Sequence, residues 1–393
     1  MRRDIRVLLY TGFAAAVVLT TFITFGKRPS LNPASKFRPY RDEQPKIPPQ
    51  YQGDHIAHGS AYANQFGWPD TQNETLAYVT WLSSTVAQKD GQKPEDDVYF
   101  IGTRILVWQL LHYEPTKAKG IDVVVLVTPD VDEQRRLQLR KDGAMVRPIE
   151  FVHGKHDAWL HPKEGRWNDI MSKLRAWEMT EYSRILMLDG DMILRYPLDG
   201  IFNDPAAQPA KTNVSILNPP DEVRLPSEYL LASIGEVAGA KHAFPPDWDH
   251  GLKKRGYFCA GFFMLKPNKQ IFKYYTDLLD IENRFSPVYM EQNLLNYAHR
   301  WDGPAPWKEL SYAWNIRSVN DNDLDQGVVS MHEKWWEEPF SHSERVKGIF
   351  HEMRWKMEGY YLARNDEVRK QQVDKAYALE HPGHKSPWNR SGQ

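Results

Sequence analysis

The chain has 393 residues, of which 41% are hydrophobic and 26% charged, and its formal net charge is −1. That balance lies far from the disordered regime, allows one large or two ordinary domains, and excludes the broad basic field that holds nucleic acid. The single cysteine, Cys259, excludes an intramolecular disulfide and reads as a small core residue within Tyr-Phe-Cys-Ala-Gly-Phe-Phe-Met-Leu.

At the start of the chain, Met-Arg-Arg-Asp-Ile-Arg precedes Val7 to Phe25, nineteen residues without a charge. That length matches a hydrocarbon core about 30 Å thick at about 1.5 Å per residue. A cleaved signal peptide has a shorter apolar core and a small-x-small cleavage site, and none follows here. Arg2, Arg3 and Arg6 favour a cytosolic N-terminus. The expectation is a cytosolic tail over 1–6, a transmembrane signal anchor over 7–25 and a luminal remainder. Residues 26–72 carry Pro29, Pro33, Pro39, Pro45, Pro48 and Pro49 with no helical apolar period, which predicts a semi-extended stem.

Order begins near Leu76. Leu76–Leu82 reads as a strand, Gly102–Glu114 as a helix, and Ile121–Val131 as a second strand. A polar-faced helix over Asp132–Asp142 ends at Gly143, and a short strand over Ala144–Val152 follows. Asn168–Tyr182 reads as a helix and Ser183–Leu188 as a further strand. Alternating strands and helices predict an α/β domain with a mostly parallel central sheet, expected over 73–364, with a polar extension over 365–393. In such sheets ligands sit beyond the carboxyl ends of the strands.

Asp189 and Asp191 fall at that end, where an apolar strand stops. Two carboxylates one residue apart suit a hard divalent cation bound together with substrate phosphates. The tripeptide alone has no weight, because Asp-x-Asp recurs at Asp130, Asp247, Asp321 and Asp323. Only the copy at 189 terminates an apolar run of strand type. A metal–phosphate site and a solvated turn are both open at this stage, and the position favours the former.

From about Leu76 to Trp336 the chain resembles the family 8 retaining glycosyltransferases, the glycogenin-like group. The resemblance rests on Lys173-Leu174, the strand ending Leu188-Asp189-Gly190-Asp191, the segment Tyr257–Asn268, and Met290-Glu291-Gln292 with Leu294-Leu295-Asn296. The N-terminal pair Ala77–Ser84 and Asp96–Leu110 is similar to that family's nucleotide-binding strand and loop. His332-Glu333-Lys334-Trp335-Trp336 and the later Arg354–Tyr361 are closer to a fungal Golgi branch that includes N-acetylglucosaminyltransferases.

The resemblance implies a single GT-A type nucleotide-diphospho-sugar transferase domain and a UDP-sugar donor, UDP-GlcNAc or UDP-glucose. It also implies Mn²⁺ or Mg²⁺ on Asp189, Asp191 and a histidine. Two candidates compete for that histidine. His332 keeps a Lys-Trp pair close behind it and is preferred to His351. Thr80, Tyr99, Lys173 and Gly190 would join the two aspartates around the nucleotide, with Gln292 and Glu291 near the donor sugar. Cys259 and Glu291 stand where the family has Asn and Asp, which bears on the choice of donor. The implied partners are a glycan or glycoprotein acceptor and, through the N-terminal helix, a membrane. The implied location is the Golgi, as a single-pass type II protein. A catalytically silent sugar-nucleotide-binding or assembly subunit of the same fold is the alternative.

Overall fold

The computed structural model describes residues 59–84, 92–336 and 343–380. The anchor expected over 7–25 and most of the stem expected over 26–72 lie outside these residues. Among the described residues no helix is long and apolar enough to cross a membrane. The thirty-seven-residue helix Glu344–Glu380 is long enough, but charges recur along its whole length. The expectation of a single-pass type II Golgi protein held by a membrane helix is therefore corrected.

Seven strands form the main sheet. In chain order they are β1 (Leu76–Leu82), β2 (Asp122–Val127), β3 (Met145–Pro148), β4 (Arg184–Leu188), β6 (Leu231–Gly235), β7 (Phe258–Leu265) and β8 (Lys308–Glu309). Their spatial order is β8-β6-β7-β4-β1-β2-β3. The neighbours β4-β1, β1-β2, β2-β3 and β8-β6 run parallel, whereas β7 is antiparallel to both β4 and β6. The sheet is mostly parallel, as expected from the sequence, with one reversed strand, β7. A second sheet joins β5 (Met192–Leu194), β9 (Asn315–Arg317) and β10 (Ser330–His332) in the order β9-β10-β5.

Continuous apolar runs form these strands because the sheet is covered on both faces. All seven residues of β1 are buried, as are all eight of β7. Tyr78, Val125 and Leu186 face one core with Leu106 and Phe202, while Val79, Leu126 and Met187 face the other with Trp177 and Tyr275. The first core is closed by α1 (Val98–Leu111), which starts at Asp97, whose side chain accepts from the Phe100 amide at 3.0 Å. Helix α2 (Glu133–Lys141) starts at Asp132 in the same way, and α3 (Lys269–Leu279) starts at Asn268. Further helices are α4 (Met290–Ala298) and α5 (Glu344–Glu380). Helix α5 runs through the boundary expected at 364.

The helix expected over Asn168–Tyr182 is a 3₁₀ helix over Ile170–Glu178. In that tighter turn residues three apart eclipse one another. Leu174 lines up with Trp177 toward the core, and Lys173 is carried inward beside them.

One buried histidine links this core to acid stability. His299 is fully buried; its Nδ1 lies 2.7 Å from the Ala305 carbonyl, which can only accept, so Nε2 accepts from the Tyr275 hydroxyl at 2.5 Å. Burial lowers its pKa to about 4. The neutral form is the folded form, so this contribution is complete above the ordinary value near 6.5 and is lost as pH falls toward 4. The stability difference between the native chain and His299→Gln, read from denaturant unfolding, should therefore shift against the native chain between pH 6.5 and 4 by roughly 3 kcal/mol. Equal slopes in the two proteins would contradict this.

Candidate active site

The site is built where β4 ends. Asp189 follows Leu188, and its amide donates to the Gly261 carbonyl on β7 at 2.8 Å. Because β7 is antiparallel, its N-terminal end (Cys259, Ala260, Gly261) reaches the edge where β4 finishes. The chain then passes through Gly190 and Asp191 into β5, where Met192 pairs with His332 of β10. The Glu333 amide donates to the Asp191 carbonyl at 3.2 Å. Two sheets meeting at one tripeptide thus bring a histidine 141 residues downstream beside both carboxylates.

Close backbone approach fixes this corner. A Cβ on Gly102 of α1 would lie 2.6 Å from the Gly190 carbonyl oxygen, and one on Gly190 would lie 2.6 Å from Thr103 Oγ1. Helix α1 therefore packs directly on the Asp-Gly-Asp loop.

His332 Nε2 lies 3.0 Å from Asp191 Oδ1 and 3.9 Å from Asp189 Oδ2. One ligand atom from each of the three residues falls within 4.8 Å of the others. Asp191 Oδ1 is buried and has no hydrogen-bond partner among the described residues, with His332 Nε2 beside it at 3.0 Å. An orphaned carboxylate oxygen is costly unless something else satisfies it. Two hard oxygens and one imidazole nitrogen fit Mn²⁺ or Mg²⁺, for which ligands at about 2.1 Å in an octahedron stand about 3.0 Å apart.

Charged groups surround the trio. Lys173 Nζ donates to Asp189 Oδ1 at 2.5 Å and lies 3.4 Å from Glu291 Oε1. Burial works against the Lys173 charge, but Asp189 and Glu291 overcome it and raise its pKa. Lys334 Nζ donates to Asp191 Oδ2 at 2.7 Å. Burial also opposes the Asp191 charge, yet Lys334 and His332 hold its pKa well below the usual range. Burial raises Glu291 to about 7, with Lys173 opposing and Asp189 adding to the rise.

The Glu291-Gln292 pair sits at the start of α4, where Met290 adopts φ +39°. A positive φ at a bulky residue is uncommon and clusters at functional sites. Gln292 is pinned at both ends of its amide: Oε1 accepts from the Ala260 amide at 3.0 Å, and Nε2 donates to the Tyr257 hydroxyl at 3.0 Å.

A cavity of about 210 Å³ joins these groups. Lys173, Asp189, Asp191, Glu291, Gln292 and His332 all line it. Thr80, Tyr99 and Gly190 are not among its lining residues. Thr80 follows Val79, which pairs with Met187, and its buried hydroxyl has no hydrogen-bond partner among the described residues. Tyr99 reaches the site indirectly, its hydroxyl accepting from Arg166 at 2.6 Å and its ring lying 5.2 Å from Lys334 Nζ. His351 lies away from the trio on α5, edge-on to Trp335 at 5.6 Å. Asp323 is not a solvated acid like Asp249: it is fully buried and closes a capping box with Asn320.

Sequence reading missed Lys334, Arg166, Glu236, Arg317 and Glu333 as lining residues. The Lys-Trp pair after His332 was a usable signal for Lys334. Arg317 sits beside His332 through the pairing of β9 with β10, which no local pattern encodes.

No protein-family model matches the chain. Sequence relatives do. A Schizosaccharomyces pombe protein of uncharacterised activity is 28% identical over 281 residues, covering 62% of this chain and 70% of its own length. Galactinol synthase 2 of Arabidopsis thaliana is 29% identical over 269 residues, 66% of this chain and 71% of that protein. Galactinol synthase 1 of Solanum lycopersicum is 28% identical over 208 residues, 51% and 56% respectively. By sequence, the chain is similar to galactinol synthases and, at 24% identity over 225 residues, to a putative UDP-glucuronate:xylan alpha-glucuronosyltransferase of Arabidopsis thaliana. Among solved structures, a galactosyltransferase in complex with donor and acceptor sugar analogues superposes with a TM-score of 0.45 and 14% identity, covering 71% of this chain and 95% of that one.

Proposed function

We propose that this chain is a metal-dependent, configuration-retaining glycosyltransferase that moves a sugar from a UDP-sugar to a glycan or glycoconjugate. UDP-GlcNAc or UDP-glucose is the proposed donor. The observation that carries the reading is the convergence of Asp189, Asp191 and His332 at a strand end, with one buried Asp191 oxygen left without a hydrogen-bond partner among the described residues. The sequence kinship with galactinol synthases supports sugar transfer.

Asp189, Asp191 and His332 would hold Mn²⁺ or Mg²⁺, which supplies Lewis-acid charge to the departing diphosphate. Lys334 lines the cavity and can carry a second positive charge toward a phosphate oxygen. Lys173 is proposed to act through its two acidic partners. Held between Asp189 and Glu291, it offsets part of the cost of their charge and fixes their orientation. Gln292, clamped to β7 and Tyr257, offers a rigid face to the donor sugar, with Glu291 beside it to stabilise an oxocarbenium-like centre. The acceptor oxygen bonds to the anomeric carbon on the face the phosphate leaves, and the leaving phosphate oxygen takes the acceptor proton. Tyr99 and Thr80 are proposed for the nucleotide side.

The test separates the two histidines. His332→Ala removes one ligand and leaves both carboxylates, so UDP-sugar cleavage should be partly restored by Mn²⁺ far above the normal saturating level. His351→Ala should leave the Mn²⁺ curve in place. A shift for His351 alone would contradict the assignment. Titration calorimetry showing that the native chain binds a UDP-sugar with Mn²⁺ but turns nothing over would favour a silent binding subunit.

A further inference from the structure

At the edge of the cavity, three side chains join two backbone groups in a single line of hydrogen bonds. Gln292 Oε1 accepts from the Ala260 amide at 3.0 Å, and Gln292 Nε2 donates to the Tyr257 hydroxyl at 3.0 Å. That hydroxyl donates to Asn293 Oδ1 at 2.5 Å, and Asn293 Nδ2 donates to the Ser286 carbonyl at 2.8 Å. Each end of the line has one possible role, since a backbone amide only donates and a carbonyl only accepts. Every bond between them therefore has a forced direction, and neither side-chain amide can turn over without losing bonds.

The line ties one helix to one strand. Tyr257 precedes β7 and Ala260 lies on it, while Gln292 and Asn293 belong to α4. Asn296, further along α4, bonds the Phe258 amide at 2.9 Å and the Phe258 carbonyl at 3.0 Å. Three side chains of one helix thus grip residues 257–260, next to the Gly261 carbonyl that receives the Asp189 amide. Ala260 and Gln292 line the cavity, whereas Tyr257 and Asn293 are not among its lining residues.

We propose that Tyr257 and Asn293 are positioning residues for the transfer reaction, acting through the Gln292 side chain. By fixing which end of that amide is which, they present its remaining Nε2 hydrogen and its remaining Oε1 lone pair to the donor sugar in one order only. This deepens the glycosyltransferase reading above and rests on it. The same line selects an uncharged amide at 292. An ionised carboxylate there could accept from Ala260 but would have no hydrogen for Tyr257, so a single hydroxyl hydrogen would face two acceptors and one would stay unpaired. Glu291, one residue earlier, belongs to a separate network through Lys173.

The experiment uses the full chain with Mn²⁺ and UDP-glucose or UDP-GlcNAc. Tyr257→Phe keeps the ring and removes the hydroxyl, so kcat for UDP-sugar cleavage should fall at least about tenfold. The KM for the UDP-sugar and the Kd for UDP should move by less than about threefold, because the metal trio is untouched. In a Gln292→Ala background, adding Tyr257→Phe should cost less than about twofold, since no amide is left to position. A loss of the same size in both backgrounds overturns the proposal, as does a native kcat in Tyr257→Phe. Should Tyr257→Phe not fold, Asn293→Ala takes its place in these comparisons. The direction of the line is tested without turnover, at pH 8. Asn293→Ala should lower the melting temperature of the native chain by about 2 °C, yet leave that of Gln292→Glu unchanged or raise it, because the Tyr257 hydrogen can then turn to the carboxylate. Equal lowering in both backgrounds overturns the proposal and leaves the glycosyltransferase reading standing. If no UDP-sugar is bound or cleaved at all, that reading fails and the positioning role fails with it.

Discussion

In Asp191→Asn, metal-dependent cleavage of a UDP-sugar should fall by at least about 100-fold, or about 2.7 kcal/mol of transition-state stabilisation. The reason is local. Asp191 is the most buried of the two carboxylates, 6% against 27% side-chain exposure, and its free oxygen is the one facing His332. The amide keeps the shape but removes the charge that would fix a divalent cation and meet growing negative charge indirectly. The fold should survive, because the Asn oxygen can still accept from Lys334, whose side chain keeps 23% exposure and can turn to water. Asp249→Asn, at an acid with a side chain 73% exposed, is the proper control and should leave turnover intact. Asp323→Asn is not a control, since it breaks a buried capping box and its contact with His242 at 3.1 Å. The measurement is initial rate against Mn²⁺ concentration with a melting curve for each variant. Equal losses at Asp191 and Asp249 would contradict the assignment.

The second large effect is expected at a residue with no functional group. In Gly261→Ala the new methyl carbon would stand 2.4 Å from His332 Cε1 and 2.8 Å from Asp189 Oδ2. Both atoms belong to groups proposed to bind metal, so relief of the clash must push the histidine and the aspartate apart. Displacements near 1 Å cost catalysis about 100-fold. Affinity for Mn²⁺ should drop together with the rate, and the loss should resist added metal more than that of His332→Ala, because two ligands move. Gly239→Ala, with nothing within 4 Å of its methyl, should behave as the native chain. Native metal affinity in Gly261→Ala would show that β7 does not shape the site.

These two sites differ in how readable they were. Asp189 and Asp191 stand out because they end a short continuous apolar run of strand length, which is a local signal. Its neighbour Gly261 carries no such signal: its role arises from the reversed direction of β7, a tertiary fact. The order of strands and helices from Leu76 to Leu188 was legible for the same local reason, through continuous Val-rich strands and Gly143 after the second helix, whereas the start of α1 at Asp97 lies ahead of the expected Gly102. The 3₁₀ form of Ile170–Glu178 was not legible, since its apolar spacing also fits an α-helix. The burial of Asp323 was not legible in Asp-Asn-Asp-Leu-Asp, because its side chain closes a capping box with Asn320 and meets His242 from a distant loop. Glu236, Arg317 and Glu333 lie far apart in sequence and meet only through β6, β9 and β10.

Direct titration of UDP into the protein, with and without Mn²⁺, addresses the central claim most closely because it needs no turnover and no acceptor. If Asp189, Asp191 and His332 hold a cation that meets the diphosphate, Mn²⁺ should tighten UDP binding by at least about tenfold, a coupling of about 1.4 kcal/mol. That coupling should vanish in Asp191→Asn and shrink in His332→Ala, with His351→Ala unchanged. UDP binding that is equally tight in chelator, or a Mn²⁺ effect that survives Asp191→Asn, would contradict the account.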